Sequence, residues 1–289
     1  MQAPQHERGG EEHDQEGENQ NGGLVANPPV VHERMTLSDY DINLALNIKS
    51  AIAGTDHVDP VSDFMCAQLA LFDGDDTEAA VERAYHSQCF REEYRVLDTF
   101  ADGVKTFAAY MKLMPGFHLS FANDMTVGQN VMIFDNTKFQ CSRIRNNEEN
   151  MRIMMAGTYY NMVLFCPNFS AIQSGAIVVA ECGGYDWKAD MDLNTTKKVW
   201  SEIGSVYPVS FHRMKFYRNN TMLNIMASMA RPFLPQKWRN NIEFGCEFEH
   251  RLDEVYLLPS LEASNLRLLV RAEAMLRERY ENEATFRLP

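Results

Sequence analysis

The sequence predicts an α/β fold in which an all-helical N-terminal segment precedes a mixed, largely parallel sheet flanked by helices. Residues 36 to about 115 carry apolar side chains at spacings of three and four, the period of helices packed on one face. From Gln129 onward the texture changes, and short β-rich runs alternate with helical stretches. That alternation is the pattern of βαβ units. A chain of 289 residues that is 45% hydrophobic has ample material for a core.

The elements follow in order. "TLSDYDINLALNIKSAIAG" opens on Thr or Ser capping candidates and stops at Gly54, which are helix start and stop signals. "DPVSDFMCAQLALFDG" repeats the logic, and "DDTEAAVERAYHSQCFREEYRVLDTFADGVKTFAAYMKLMPG" carries the helical spacing to Pro115-Gly116. The second half reads as "NVMIFD" (strand), "RNNEENMRIMMAGTYYNMVLF" (helix), "GAIVVAE" (strand), "LNTTKKVWSEIG" (helix), "FHRMKFY" (strand), "TMLNIMASMA" (helix) and "NIEF" (strand). Residues 261–289, with Arg and Glu alternating around Leu266, Leu268, Leu269 and Leu276, read as a solvent-facing closing helix. The expected organisation is a disordered acidic tail at 1–34, a helical subdomain at 35–115, the α/β domain at 116–260 and a C-terminal helix at 261–289.

The first 34 residues hold seven acids, two Arg and little apolar surface, too little to offset the entropy of ordering. No basic start followed by an apolar run marks a signal peptide, and no stretch approaches the ~18 apolar residues of a membrane span. The expectation is a cytoplasmic protein. Cys66, Cys89, Cys141, Cys166, Cys182 and Cys246 show no paired spacing and are expected to be free thiols. A net charge of -13 argues against general nucleic-acid binding, and no nucleic-acid-binding signature is present. No phosphate loop, nucleophile elbow or metal-ligand spacing appears, so neither enzyme activity nor a cofactor or metal is expected. Asp75-Asp76 and Glu148-Glu149 sit where carboxylates favour helix N-termini and read as caps.

One window departs from the acidic background. From Ile203 to Ile242 there is no Asp or Glu, while Arg213, Lys215, Arg218, Arg231, Lys237 and Arg239 all lie there. A solvated face is the plain reading of such a run; a field for anionic lipid surfaces is the functional one. Within the window Met222, Ile225, Met226, Met229 and Phe233 form a helical stripe that stops near Pro232. An ordinary core helix is the plain reading of the stripe.

Tyr207-Pro208, then Arg231-Pro232-Phe233-Leu234, Lys237 and Ile242, resemble the signature of the CRAL-TRIO lipid-binding family at its usual spacing. "GAIVVAECGGYDW" (Gly175–Trp187) resembles the family's strand followed by D-x-x-G, with Glu181 at the place of the Asp, and "NVMIFDNTKF" is similar to its first strand. The likeness spans roughly residues 65 to 260. Arg218-Asn219-Asn220 replaces the usual Asn-x-Pro, "LLPSLEASN" is a reduced terminal motif, and "LALFDGDDTEAA" stands where a basic segment is usual. This marks a divergent member.

What the resemblance implies is an apolar pocket between sheet and helices, closed by a mobile gate helix at the Met222–Met229 stripe. The expected lining is Phe134, Met154, Tyr159, Val163, Ile177, Val179, Phe211 and Phe216 with Met222, Ile225, Met226 and Met229 on the gate. Flexible Met suits a site that repacks, though Met also fills ordinary core gaps. The implied ligand is a hydrophobic small molecule or lipid of the tocopherol, retinoid or phospholipid class. The implied surface partner is an anionic membrane, phosphoinositides included, met by Arg213, Lys215, Arg218, Arg231, Lys237 and Arg239. Lipid transfer by a peripherally membrane-associated protein is the function this suggests. A membrane-recruited regulatory or scaffold module with the same fold is the alternative.

Overall fold

The structure, a computed structural model, describes residues 37–55, 61–124, 129–183, 192–217, 228, 231–233, 236–246 and 261–289. The acidic tail, Arg218 and the Met222, Ile225, Met226 and Met229 stripe lie outside these residues.

Four helices come first: α1 (Asp39–Ile52), α2 (Asp63–Asp73), α3 (Thr77–Tyr94) and α4 (Phe100–Leu113). Each starts where a side-chain oxygen accepts an otherwise unpaired backbone N–H. Ser38 and Asp41 cap α1 reciprocally, Ser62 accepts from Met65 N (3.2 Å), Asp76 from Ala79 N (3.0 Å), and Thr99 from Asp102 N (3.2 Å). The long third stretch is therefore two helices. Arg95 (φ 56°) and Asp98 (φ 51°) turn the chain left-handed between them, and Asp98 is fixed there by the Tyr280 hydroxyl (2.8 Å) and by Arg91 (3.6 Å). Tertiary contacts have overridden a continuous helical pattern.

The sheet has the order β1 (His118–Asp124), β2 (Gln129–Asp135), β3 (Ala176–Glu181), β4 (Phe211–Tyr217) and β5 (Ile242–Cys246). β1 pairs antiparallel with β2, and the remaining pairs are parallel. The strands read from the sequence are all present, while β1 is additional: its mixture of His, Ser, Asn and Asp gives little apolar alternation. α5 (Glu148–Phe165), the short α6 (Phe169–Ser174) and α7 (Leu193–Val206) form the crossovers, and α8 (Gln236–Arg239) is a single turn before β5. Asn147, Asn168 and Asp192 cap α5, α6 and α7. Gly175 leaves α6 at φ 73°, where an added Cβ would also lie 3.0 Å from the Ser210 carbonyl. That carbonyl accepts from Ala176 N (2.8 Å) and starts the β3–β4 pairing.

Helices α1–α7 and one face of the sheet share a single core. Met132, Ala176, Val178, Phe211 and Met214 pack in the same cluster as Met154, Met155, Tyr159, Val163, Ile203 and the buried residues of α1–α4. The closing helix α9 (Leu261–Thr285) corrects the expectation of a solvent-facing element. Its Arg and Glu residues do line an exposed side, with Arg277 pairing Glu273 (3.0 Å), but Leu268, Ala272, Leu276 and Arg279 form a buried stripe. Spacings of four, four and three keep that stripe on one face. Cys66, Cys89, Cys141, Cys166 and Cys182 are free thiols.

α4 and α5 approach each other closely at Gly157. A Cβ added at Gly157 would lie 2.5 Å from the Tyr110 Cβ and Cδ2 atoms, and Tyr110 is itself almost fully buried. Gly157→Ala should therefore destabilise the protein by about 1–3 kcal/mol through overpacking, even though Ala is the better helix former by up to ~1 kcal/mol. Urea unfolding measures this directly. A variant as stable as the parent would show that the two helices do not meet at this glycine.

Candidate ligand-binding site

Register and pleat assign every described strand residue to one of two faces. Met132, Val178, Met214 and Ile242 lie abreast on the helix-covered side, followed toward the strand ends by Phe134, Ala180, Phe216 and position 244. Val131, Ile177 and Arg213 lie abreast on the opposite side, followed by Ile133, Val179, Lys215 and Glu243. Successive residues alternate because the side-chain period of a strand is two.

The expected lining residues divide accordingly. Phe134, Met154, Tyr159, Val163, Phe211 and Phe216 come together on the helix side. Ile177 and Val179 face the other way, so one cavity against a single face of the sheet cannot touch both groups. Within the first group, Met154, Tyr159, Val163 and Phe211 are sealed in the core at 3% exposure or less. Phe134 and Phe216 are different: both are half-buried, at the carboxyl ends of their strands.

Around them is an apolar surface that the sequence did not single out. Phe117 packs on Phe134 (centroids 5.0 Å apart) and on Phe139 (5.2 Å), and Ala180 and Cys182 pack with Phe216. The Asn136 amide donates to Cys182 Sγ (3.3 Å), tying the end of β2 to the end of β3, and burial pushes the Cys182 thiol up to about 12. A neutral thiol behaves as a small apolar group. Glu181, on the opposite face, accepts from Gly183 N (2.6 Å) and closes the turn after β3. Asp135 does the same for Thr137 N (3.0 Å) after β2. These carboxylates are turn caps.

The basic residues are also divided. Arg213 is exposed and Lys215 half-buried on the face away from the helices, where Lys215 meets Glu243 of β5 (3.8 Å). Arg231 and Arg239 belong to the β4–β5 crossover and brace its backbone. Arg231 donates from Nε and Nη2 to the Arg239 carbonyl (3.1 and 2.7 Å), and Arg239 donates to the Pro232 carbonyl (2.7 Å). The turn they hold, Arg231–Phe233, packs against α7, on the helix side of the sheet. The side chain of Lys237 is outside the described structure.

A separate groove of about 810 Å³ lies between the end of α3, the start of α5 and α7. Arg95, Arg145, Arg152 and Lys198 line it together with Glu93, Glu148 and Glu149, a mixed-charge wall unsuited to an apolar ligand. Among the described residues no three His, Cys, Asp or Glu side chains are placed to hold a metal ion, and no helix is long and apolar enough to cross a membrane.

No protein-family model matches the chain, and no curated protein matches it. Among solved structures, the crystal structure of Sfh5, a Sec14-family protein of the CRAL-TRIO type, superposes with a TM-score of 0.51 at 13% sequence identity. The match covers 73% of this chain and 82% of that one. At this identity the likeness concerns backbone architecture alone: a mixed α/β chain with a four-stranded parallel sheet and helices, consistent with a Sec14/CRAL-TRIO-like fold.

Proposed function

We propose that this protein binds a small hydrophobic ligand or lipid on the helix side of its sheet, at the carboxyl ends of β2–β4, and transfers it between membranes. The observation that carries the reading is the half-buried aromatic surface of Phe134 and Phe216, extended by Phe117 and Phe139, in a Sec14/CRAL-TRIO-like fold. Each fully buried aromatic side chain is worth roughly 1.5–3 kcal/mol relative to exposure, so an apolar ligand covering these rings gains binding free energy that water does not supply. The fold likeness favours lipid over other apolar ligands. No bond chemistry is assigned to the site.

Native mass spectrometry of the purified chain tests the reading. A lipid-sized ligand should co-purify in about one-to-one ratio, and Phe216→Glu should lose at least ten-fold in occupancy while keeping cooperative unfolding, because the half-buried ring leaves the carboxylate a route to water. Absence of any ligand in the parent protein, together with no uptake from mixed-lipid vesicles, would sink the proposal.

Membrane docking is proposed for the Arg231 and Arg239 corner beside the crossover. Arg213 and Lys215 lie on the opposite face of the sheet and form a separate candidate contact. Near an anionic surface each cation contributes roughly 1 kcal/mol. Arg231→Gln combined with Arg239→Gln should weaken binding to vesicles containing anionic lipid by roughly ten- to thirty-fold at low salt, and Arg213→Gln by less than two-fold. Vesicle co-sedimentation at rising ionic strength checks both, since screening should erase the difference as the Debye length shortens. Equal losses from the two substitutions would mean that docking does not use this corner.

A further inference from the structure

We propose that the groove between the end of α3, the start of α5 and α7 binds a phosphomonoester carried on a small polar scaffold, with Arg95 and Arg145 holding the phosphate. This site does not depend on the apolar surface at Phe134 and Phe216. Its volume of about 810 Å³ is that of a small-molecule site and exceeds what a lone ion needs.

The charges of the groove divide into those already answered by this chain and those that are not. Arg152 donates from Nε and Nη2 to the two Glu149 carboxylate oxygens (2.9 and 2.7 Å) and from Nη1 to the Tyr94 carbonyl (3.4 Å). Lys198 lies between Glu93 and Glu202 (3.8 Å each) and over the Tyr94 ring (5.6 Å), whose hydroxyl donates to Glu202 (2.6 Å). Arg95 and Arg145 are different: both are exposed, and neither guanidinium makes a hydrogen bond or ion pair with a described residue. Arg95 acts on the wall through its field alone. Hydrogen bonding from Arg152, with the Arg95 charge added, holds the Glu149 carboxyl below the usual carboxylate range. Of the three acids in the wall, only Glu148 has no cation on it among the described residues.

Two guanidinium groups therefore stand against one carboxylate. Each fork is built to take a carboxylate or phosphate edge. A monocarboxylate answers one fork and leaves the other, whereas a phosphomonoester, close to a dianion at neutral pH, has the charge and the three oxygens for both. Glu148 and Asn146 are left for the rest of the molecule, a carboxylate and an amide that accept from hydroxyl or ammonium groups. Arg95 also offers a clean way to remove one fork. It follows the last residue of α3 at φ 56°, the left-handed position that glycine adopts most readily, so Arg95→Gly relieves the backbone while deleting the guanidinium.

Isothermal titration calorimetry of the full chain with glucose 6-phosphate, inorganic phosphate and vesicles containing phosphatidylinositol 4-phosphate tests the site. Saturable binding of a phosphomonoester at one per chain is expected, with unphosphorylated glucose inert and inorganic phosphate weaker than the ester. Arg95→Gly and Arg145→Gln should each weaken binding by about ten-fold or more, while Arg95→Gly unfolds at no lower urea concentration than the parent. Binding of glucose 6-phosphate assigns the groove to a free phosphorylated metabolite; binding of the vesicles alone, lost in the same two variants, assigns it to a lipid headgroup. The proposal is overturned by no saturable binding of any of the three probes. It is equally overturned by the same loss in Arg277→Gln, whose guanidinium pairs with Glu273 on α9 (3.0 Å), or by equally tight binding of an unphosphorylated polyglutamate peptide.

Discussion

The sequential order of four parallel strands governs the rest of this molecule. When parallel neighbours follow one another along the chain and every crossover is right-handed, all the connecting helices must lie on one side of the sheet. α5, α6 and α7 obey this, and their apolar faces merge with those of α1–α4 into one core. The sheet is thereby given two unlike faces. One is backed by helices along most of its length, and among its described residues Phe134 and Phe216, at the carboxyl ends of their strands, are half-buried. The other carries Arg213, Lys215 and Glu243 next to Val131, Ile133 and Val179.

The core that results is not purely apolar. Arg91, Asp98, Arg279, Tyr159, Tyr160 and Tyr207 meet where α3, α5, α7 and α9 converge, with Tyr207 edge-on to Tyr159 (5.4 Å) and the Tyr160 hydroxyl donating to Asp102 (2.8 Å). Burial raises the phenols of Tyr159, Tyr160 and Tyr207, so all three stay neutral and act as hydrogen-bond partners. A buried ion cluster of this kind adds little net stability compared with apolar packing, because desolvation offsets the Coulomb attraction. Its effect is on geometry. Asp98 can sit at φ 51° because Tyr280 and Arg91 hold it, and the α3–α4 break follows from that.

Much of this was legible in the sequence, and the misses share a cause. Caps and stop signals located α1, α2 and α5, and β-rich runs located β2–β5, because those signals are local. What a single strand cannot reveal is which of its two faces the helices will cover. Phe134, Ile177, Val179 and Phe216 are equally apolar, and only the parallel register separates the first and last from the middle two. The helical break at Arg95–Asp98 and the burial of Arg279 were hidden for a related reason: each is fixed by partners more than 180 residues away or on other elements. Arg and Glu at helical spacing look solvated until the packing on Phe64 is known.

The same lesson applies to the acid-free window from Ile203 to Ile242. Read as a sequence it is one basic cluster, but its cations have separate duties once folded. Lys215 answers Glu243 across β4 and β5, just outside the window, so part of the bias is an ion pair whose acid lies one residue beyond the boundary. Arg231 and Arg239 hold carbonyls of the turn, a task that suits guanidinium because its fork offers several donors in fixed directions. An acid in that turn would compete with the carbonyls for those donors and unlatch the corner from α7. Between Arg231 and Arg239 the guanidinium groups are therefore partnered by carbonyls rather than by carboxylates. Any attraction of this corner to an anionic surface acts alongside those hydrogen bonds.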